Sequence, residues 1–249
     1  MEKLAVHIEN LRFRYPGQSN MCIANLNLKV ADGERFGLFG PNGAGKTTLM
    51  HLMTGLLSFD EGSIRLLGQE VKHHPMAMKK LFGFVPQDFS FYHELSPVEN
   101  LAFFGAWAGL RKQEIRTRTI ELLEVLGLTD VRDKQVGTFS GGMKRRVNLA
   151  IGVIHKPRIL FLDEPTVGVD VQTRHAIIHY LKVLNHNGTT LIYTSHQLGE
   201  AEELCEKVAL IDEGEIIIHE FLHKLPSLQH ENGLEGLFLN LTGKAFRDL

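Results

Sequence analysis

Apolar residues alternate with polar ones through the first thirty positions: Leu4, Val6 and Ile8, then Leu11, Phe13 and Tyr15, then Leu26, Leu28 and Val30 beyond a Pro16–Gly17 turn. A period of two belongs to strands buried on one face, so the chain opens as a β-rich segment. After a turn at Asp32 and Gly33, residues 35–39 predict a buried strand running into a glycine-rich turn. From Gly45 onward, Leu49, Leu52, Met53 and Leu56 recur at helical spacing. A turn at 60–62 then leads to a short strand over 64–67. The middle third changes character, with helices expected over 97–109 and 114–126. The second carries Ile115, Leu122, Leu123 and Leu126 on one stripe and ends at Gly127. A further helix is expected after Ser140 and a buried strand over 158–162. Strands near 189–194, 208–211 and 215–219 then alternate with helical stretches. The succession predicts an α/β core interrupted by a helical insertion, without internal repeats or low-complexity linkers.

Composition narrows the classes. The 249 residues suffice for one large α/β domain or two small ones. With 43% hydrophobic and 22% charged residues, disorder, collagen and coiled coil are excluded. Lys and Arg number 27 against 29 Asp and Glu, a net charge of −2, so no global basic field attracts nucleic acid. Cys22 and Cys205 stand far apart without CxxC spacing, which predicts buried thiols in a reduced interior. No stretch approaches the ~18 apolar residues of a membrane span. The N-terminal residues lack the apolar core and cleavage site of a secretory signal. These readings predict a soluble, cytoplasmic chain that meets a membrane only through a partner.

The informative segment is Gly40, Pro41, Asn42, Gly43, Ala44, Gly45, Lys46, Thr47 and Thr48, which fits G-x-x-x-x-G-K-[ST] between a predicted strand and a predicted helix. Glycines let successive amides turn inward as an anion nest, and the helix N-terminus adds its dipole. Lys46 then sets a point charge on the terminal phosphates, and the Thr47 hydroxyl is a Mg²⁺ ligand. A phosphate loop of this kind also needs acids. Four apolar residues, 159–162, lead into Asp163 and Glu164, placed to reach the metal through its water and to polarise an attacking water. At Phe139, Ser140, Gly141, Gly142 and Met143, a serine followed by two glycines opens a second anion-binding helix start. One ATP does not need two such helix ends from one chain. The second therefore serves an ATP held by another copy.

With these motifs in this order, residues 2–220 resemble the ATP-binding cassette (ABC) ATPases, the nucleotide-binding subunits of ABC transporters. The resemblance implies a P-loop core of mostly parallel sheet, with an antiparallel β-subdomain and a helical subdomain. Gly40–Thr48 is similar to the Walker A loop, Ser140–Met143 to the signature sequence, and Asp163–Glu164 to Walker B with its catalytic glutamate. Tyr15 stands where the adenine-stacking aromatic belongs. Gln87 matches the glutamine that senses Mg²⁺ and the membrane partner. Asp170 fits the D-loop, and His196 the switch histidine. Two departures from the pattern are Met143 in place of glutamine and Val169 in place of leucine; both leave the phosphate-contacting residues intact.

The same resemblance implies a domain over 1–220, its helical part about 88–156, and a short helical tail over 221–249. Residues 140–146, 164–170 and 234–248 look like those of bacterial drug, antibiotic and polysaccharide exporters. In the tail, positions 234, 237, 238 and 241 share one helix face, which also suits an ordinary terminal helix packed on its own domain. The implied activity is hydrolysis of ATP with Mg²⁺, in a head-to-tail pair of cassettes on the inner face of a membrane. The implied partners are a second ATPase subunit and a separate transmembrane permease, with no nucleic acid. A cassette acting in DNA repair or on ribosomes is the alternative. Long heptad insertions are absent from residues 49–139, and only one cassette is present. A pure ATP sensor is disfavoured by Glu164. The aromatics Phe89, Phe91, Tyr92, Phe103, Phe104 and Trp107 form either a groove for a membrane subunit or the core of the helical insertion. His73 and His74 are adjacent rather than i, i+4, a poor metal pair. Lys144, Arg145 and Arg146 are expected on a solvated helix face.

Overall fold

Strand β1 (Leu4–Phe13) is followed by β2 (Ile23–Ala31), β3 (Arg35–Phe39), helix α1 (Lys46–Met53), β4 (Glu61–Leu66) and β5 (Gln69–Glu70). Next come β6 (Phe82–Val85), α2 (Pro97–Trp107), α3 (Lys112–Val125), α4 (Gly141–Val153), β7 (Ile159–Asp163) and α5 (Val171–His186). The last elements are β8 (Thr190–Ser195), α6 (Leu198–Leu204), β9 (Lys207–Asp212), β10 (Glu215–Phe221) and α7 (Gly233–Thr242). This computed structural model describes residues 3–72, 78, 80–196, 198–225 and 233–242. His73, His74 and positions 226–232 and 243–249 of the expected tail lie outside them. The chain forms two compact units, Met1–Met78 with Thr190–Leu249, and Lys79–Thr189.

In the first unit an antiparallel sheet runs in the order β2-β1-β4-β5. The alternation in β1 changes parity between Ile8 and Leu11 because the register shifts there, at Asn10, whose φ is 49°. That bulge is closed by Asn10 N–H donating to Asn27 Oδ1 at 2.9 Å, and it returns Leu11 and Phe13 to the buried face. In the same unit β3 pairs in parallel with β8 and with β9, and β10 pairs antiparallel to β9. All six residues of β8 and four of five in β3 are buried, the signature of strands covered on both faces. Helix α1 stops at Met53, so Leu56 falls in the following turn and is 62% exposed, not part of the helical stripe. Leu234 and Phe238 of α7 are buried, as a terminal helix packed on its own unit requires.

In the second unit β6 and β7 pair in parallel, and all of β7 is buried. Helix α4 lies directly on β6 through two glycines. A methyl at Gly83 would run into the Gly152 carbonyl, and one at Gly152 would run into the Val85 side chain. Helix α2 starts with a capping box, Ser96 accepting from Glu99 N–H while the Glu99 carboxylate accepts from Ser96 N–H, and Pro97 begins the first turn. Asn100, fully buried in α2, accepts from Tyr92 N–H at 2.9 Å. Its amide donates to the carbonyls of Tyr92 at 3.0 Å and Ser96 at 3.1 Å. Asn100→Ala leaves these backbone groups unmatched and is expected to lower unfolding stability by about 1–3 kcal/mol, read by thermal or urea denaturation.

Candidate functional site

The first unit carries the glycine-rich loop of residues 40–48. Gly43 and Gly45 adopt φ of 82° and 105°, a left-handed region closed to most side chains. Gly45 is also the N-cap of α1, and having no side chain it leaves the first-turn amides uncapped. Lys46 is 6% exposed, and its ammonium donates to the carbonyls of Gly40 at 2.7 Å and Pro41 at 3.1 Å, folding the charge back over its own loop. Asn42 and Thr47 are exposed, while Ala44 and Thr48 are buried. Tyr15 packs edge-on against Phe13 and shares a 2.9 Å hydrogen bond with the Thr48 hydroxyl, which brings the aromatic beside α1. His196 directly follows β8, and Ser195 pairs in register with Phe39, so His196 and Gly40 leave neighbouring parallel strands at the same level. Ligands gather at the carboxyl ends of such strands.

The second unit carries the acids and the second helix start. Val85 of β6 is in register with Leu162 of β7, so Gln87 and Glu164 each stand two residues past paired positions. Asp163 and Glu164 are 1% and 6% exposed, and Gln87 is exposed. Glu164 has φ 49°, a left-handed backbone that strains a non-glycine residue by roughly 1–2 kcal/mol. Exposed Ser140 caps α4 by accepting from Met143 N–H at 3.3 Å, with Gly141 exposed and Gly142 half-buried. A methyl on Gly142 would press on the Thr173 side chain of α5 at 3.0 Å. Asp170 caps α5, accepting from Thr173 N–H at 2.9 Å and from the Thr173 hydroxyl at 2.7 Å. Those bonds hold the exposed Asp170 carboxyl below its usual pKa, the backbone bond first.

Two expectations change. Arg145 is not on a solvated face: it is 5% exposed, inside the second unit. Three consecutive helical residues span about 200°, so they do not share the middle of one face, and Arg145 is the one that turns inward. Arg146 is half-buried and donates to the carbonyls of Leu126 at 2.8 Å and Gly127 at 3.3 Å, closing the end of α3. The thiols also differ from one another. Both are free, Cys205 buried with its pKa pushed well up by desolvation, whereas Cys22 is half-buried and donates to the Thr48 hydroxyl at 3.4 Å. The aromatics divide: Phe91 is 8% exposed, but Tyr92 and Phe103 are 46% and Trp107 65% exposed. Tyr92 and Phe103 meet edge to face at 5.0 Å.

A family model described as ABC transporter matches residues 23–167. The chain belongs to that family. The cassette is 42% identical over 209 residues to the linearmycin resistance ATP-binding protein LnrL of Bacillus subtilis (strain 168), covering 84% of this chain and 67% of that protein. It is 38% identical over 228 residues to the Nod factor export ATP-binding protein I of Ralstonia nicotianae, covering 92% and 70%. Among solved structures it superposes on an ATP binding subunit of an ABC transporter with a TM-score of 0.86 at 25% identity, covering 96% of this chain and 99% of that one. The fold is therefore the α/β P-loop ATPase fold, and the cassette is an ATP-binding, ATP-hydrolysing transporter subunit. ABC ATP-binding proteins work with transmembrane permeases and usually dimerise. Among the described residues no helix is long and apolar enough to cross a membrane.

Proposed function

We propose that the cassette powers an exporter as a head-to-tail homodimer, each copy's Gly40–Thr48 loop facing the Ser140–Met143 helix start of the other. The observation that carries this reading is the coexistence on one chain of two glycine-bearing helix N-termini, one headed by Gly45 and one by Ser140. Export is supported by the relatives, named for antibiotic resistance and Nod factor export.

In this reading Tyr15 stacks on adenine, the amides of residues 40–48 cradle the phosphates, and Lys46 neutralises the outermost ones. Glu164 orients water for in-line attack on the γ-phosphate, with His196 and Lys46 offsetting charge that develops there. Asp170 positions the paired faces. This reading assigns Mg²⁺ to the exposed Thr47 hydroxyl, Gln87 and Asp163, each an oxygen donor of the kind Mg²⁺ takes. Mg²⁺ held there would supply positive charge that offsets the negative charge of the phosphate oxygens. ATP contacts favour the closed pair, and hydrolysis removes that preference.

Residues 1–220 act as the cassette, with 88–156 as its helical part and 221–249 as a tail. The exposed Tyr92, Phe103 and Trp107 are the docking face for a permease segment, aromatics being the preferred anchors of interfaces. That docking holds the cassette on the cytoplasmic face of the membrane.

Complementation tests the shared site. Lys46→Ala spoils the loop and Ser140→Arg the opposing helix start, so each variant alone is expected to be inactive. Mixed, they rebuild one intact site per heterodimer, and ATPase activity is expected to return. Absence of recovery, with both variants shown to be folded and mixed pairs formed, rejects the head-to-tail assignment.

A further inference from the structure

We propose that Arg145 is a positioning residue for hydrolysis, tying the loop after Gln87 and the turn that begins at Glu164 to the helix headed by Ser140. The proposal rests on the assignment of Glu164 to hydrolysis. The guanidinium of Arg145 donates through Nη1 to the Gln87 carbonyl at 2.8 Å and the Pro86 carbonyl at 3.4 Å, and through Nη2 to the Val167 carbonyl at 3.4 Å. Its central carbon, Cζ, lies over the Phe89 ring, 4.9 Å from the centroid. One buried side chain of α4 thus reaches both segments that leave the adjacent ends of β6 and β7.

The geometry is suited to setting where Glu164 points. Glu164 is held at φ 49°, and the turn it opens is closed by Val167 N–H donating to the Glu164 carbonyl at 3.3 Å. A strained backbone of this kind persists only where its surroundings fix it. The bond from Arg145 to the Val167 carbonyl anchors the far side of that same turn. Burial pushes the guanidinium pKa down, while the fields of Asp88 and Glu164 oppose the shift. The planar fork reaches carbonyls on two loops at once, which a lysine ammonium on a flexible stem does not match. Arg145 holds Gln87 through its carbonyl, which leaves the exposed Gln87 side chain able to respond to a partner.

Steady-state ATP hydrolysis by the full chain, with Mg²⁺, tests the proposal. Arg145→Met keeps the volume and removes the fork. It is expected to lower kcat by roughly tenfold to hundredfold, the penalty of a catalytic group displaced by about 1 Å. KM for ATP is expected to stay within about twofold, because residues 40–48 hold the phosphates. Arg145→Lys keeps the charge and guards against misfolding; it is expected to lose kcat by a smaller factor at unchanged KM. A parental kcat in either variant overturns the proposal. So does a fall in kcat matched by a rise in KM and a drop in melting temperature, the pattern of a purely structural residue. Glu164→Gln measured alongside separates the two claims. If it hydrolyses ATP normally, the assignment of Glu164 fails; if it is inactive while Arg145→Met is parental, only the role of Arg145 fails.

Discussion

Replacing Glu164 by glutamine is expected to reduce ATP turnover by roughly 10²–10⁴-fold, the usual contribution of a positioned general base. The substitution keeps shape and hydrogen-bonding reach and removes only the carboxylate's basicity, so the turn at φ 49° has no new reason to rearrange. Nucleotide binding is expected to survive, because Lys46 and the amides of residues 40–48 are untouched. In the proposed pair, ATP that is bound and not cleaved is expected to continue favouring the paired state. At a hundredfold excess of ATP over its dissociation constant, a ligand confined to that state stabilises it by about 2.7 kcal/mol. Size-exclusion chromatography with light scattering in ATP and Mg²⁺ should therefore show a dimer that the parent chain populates only briefly. Turnover close to the parental rate would remove Glu164 from the chemistry. A Glu164→Gln chain that stays monomeric at saturating ATP would instead count against the head-to-tail pair.

The fold was most legible where the chain is most constrained. Residues 35–39 and 159–162 read as buried strands because few polar groups are tolerated inside a sheet covered on both faces, and both form strands. The helix after Ser140 was legible from its cap, which accepts from Met143 N–H as a serine N-cap does. Boundaries were less so. Leu56 fits the helical period of Leu49 and Leu52, yet α1 ends at Met53, where Thr54 and Gly55 begin a turn. The parity slip between Ile8 and Leu11 is visible in the sequence, but only the bulge at Asn10 explains it. In the candidate site, residue types and spacing pointed to the loop and the acids. Arg145 escaped because its partners are backbone carbonyls at 86, 87 and 167, which leave no mark on side-chain identity. For the aromatics, period alone could not separate a buried Phe91 from an exposed Phe103 and Trp107. Which face of α2 is covered depends on packing, here anchored by the buried Asn100.

Lys46→Ala is expected to weaken ATP binding by roughly a hundredfold or more, within the ~2–5 kcal/mol range for truncating one partner of a buried charge pair. The ammonium is 6% exposed and held by the carbonyls of Gly40 and Pro41, so its desolvation is already met before a ligand arrives. A triphosphate then meets a fixed charge in a low-dielectric setting, where the attraction far exceeds its value in water. Alanine removes that charge and takes one donor from each carbonyl, Pro41 keeping the Ala44 N–H, which turns a cradle for anions partly against them. Lys46→Arg is not expected to restore affinity, because the planar guanidinium is bulkier than the compact ammonium this narrow loop encloses. Calorimetry with ATP, tripolyphosphate and adenosine separates the contributions. Tripolyphosphate binding should fall as far as that of ATP, whereas adenosine, proposed to meet Tyr15 rather than Lys46, should bind as it does to the parent. Loss of adenosine binding as well would mean a collapsed loop, and a parental affinity for tripolyphosphate would deny residues 40–48 their role as the phosphate site.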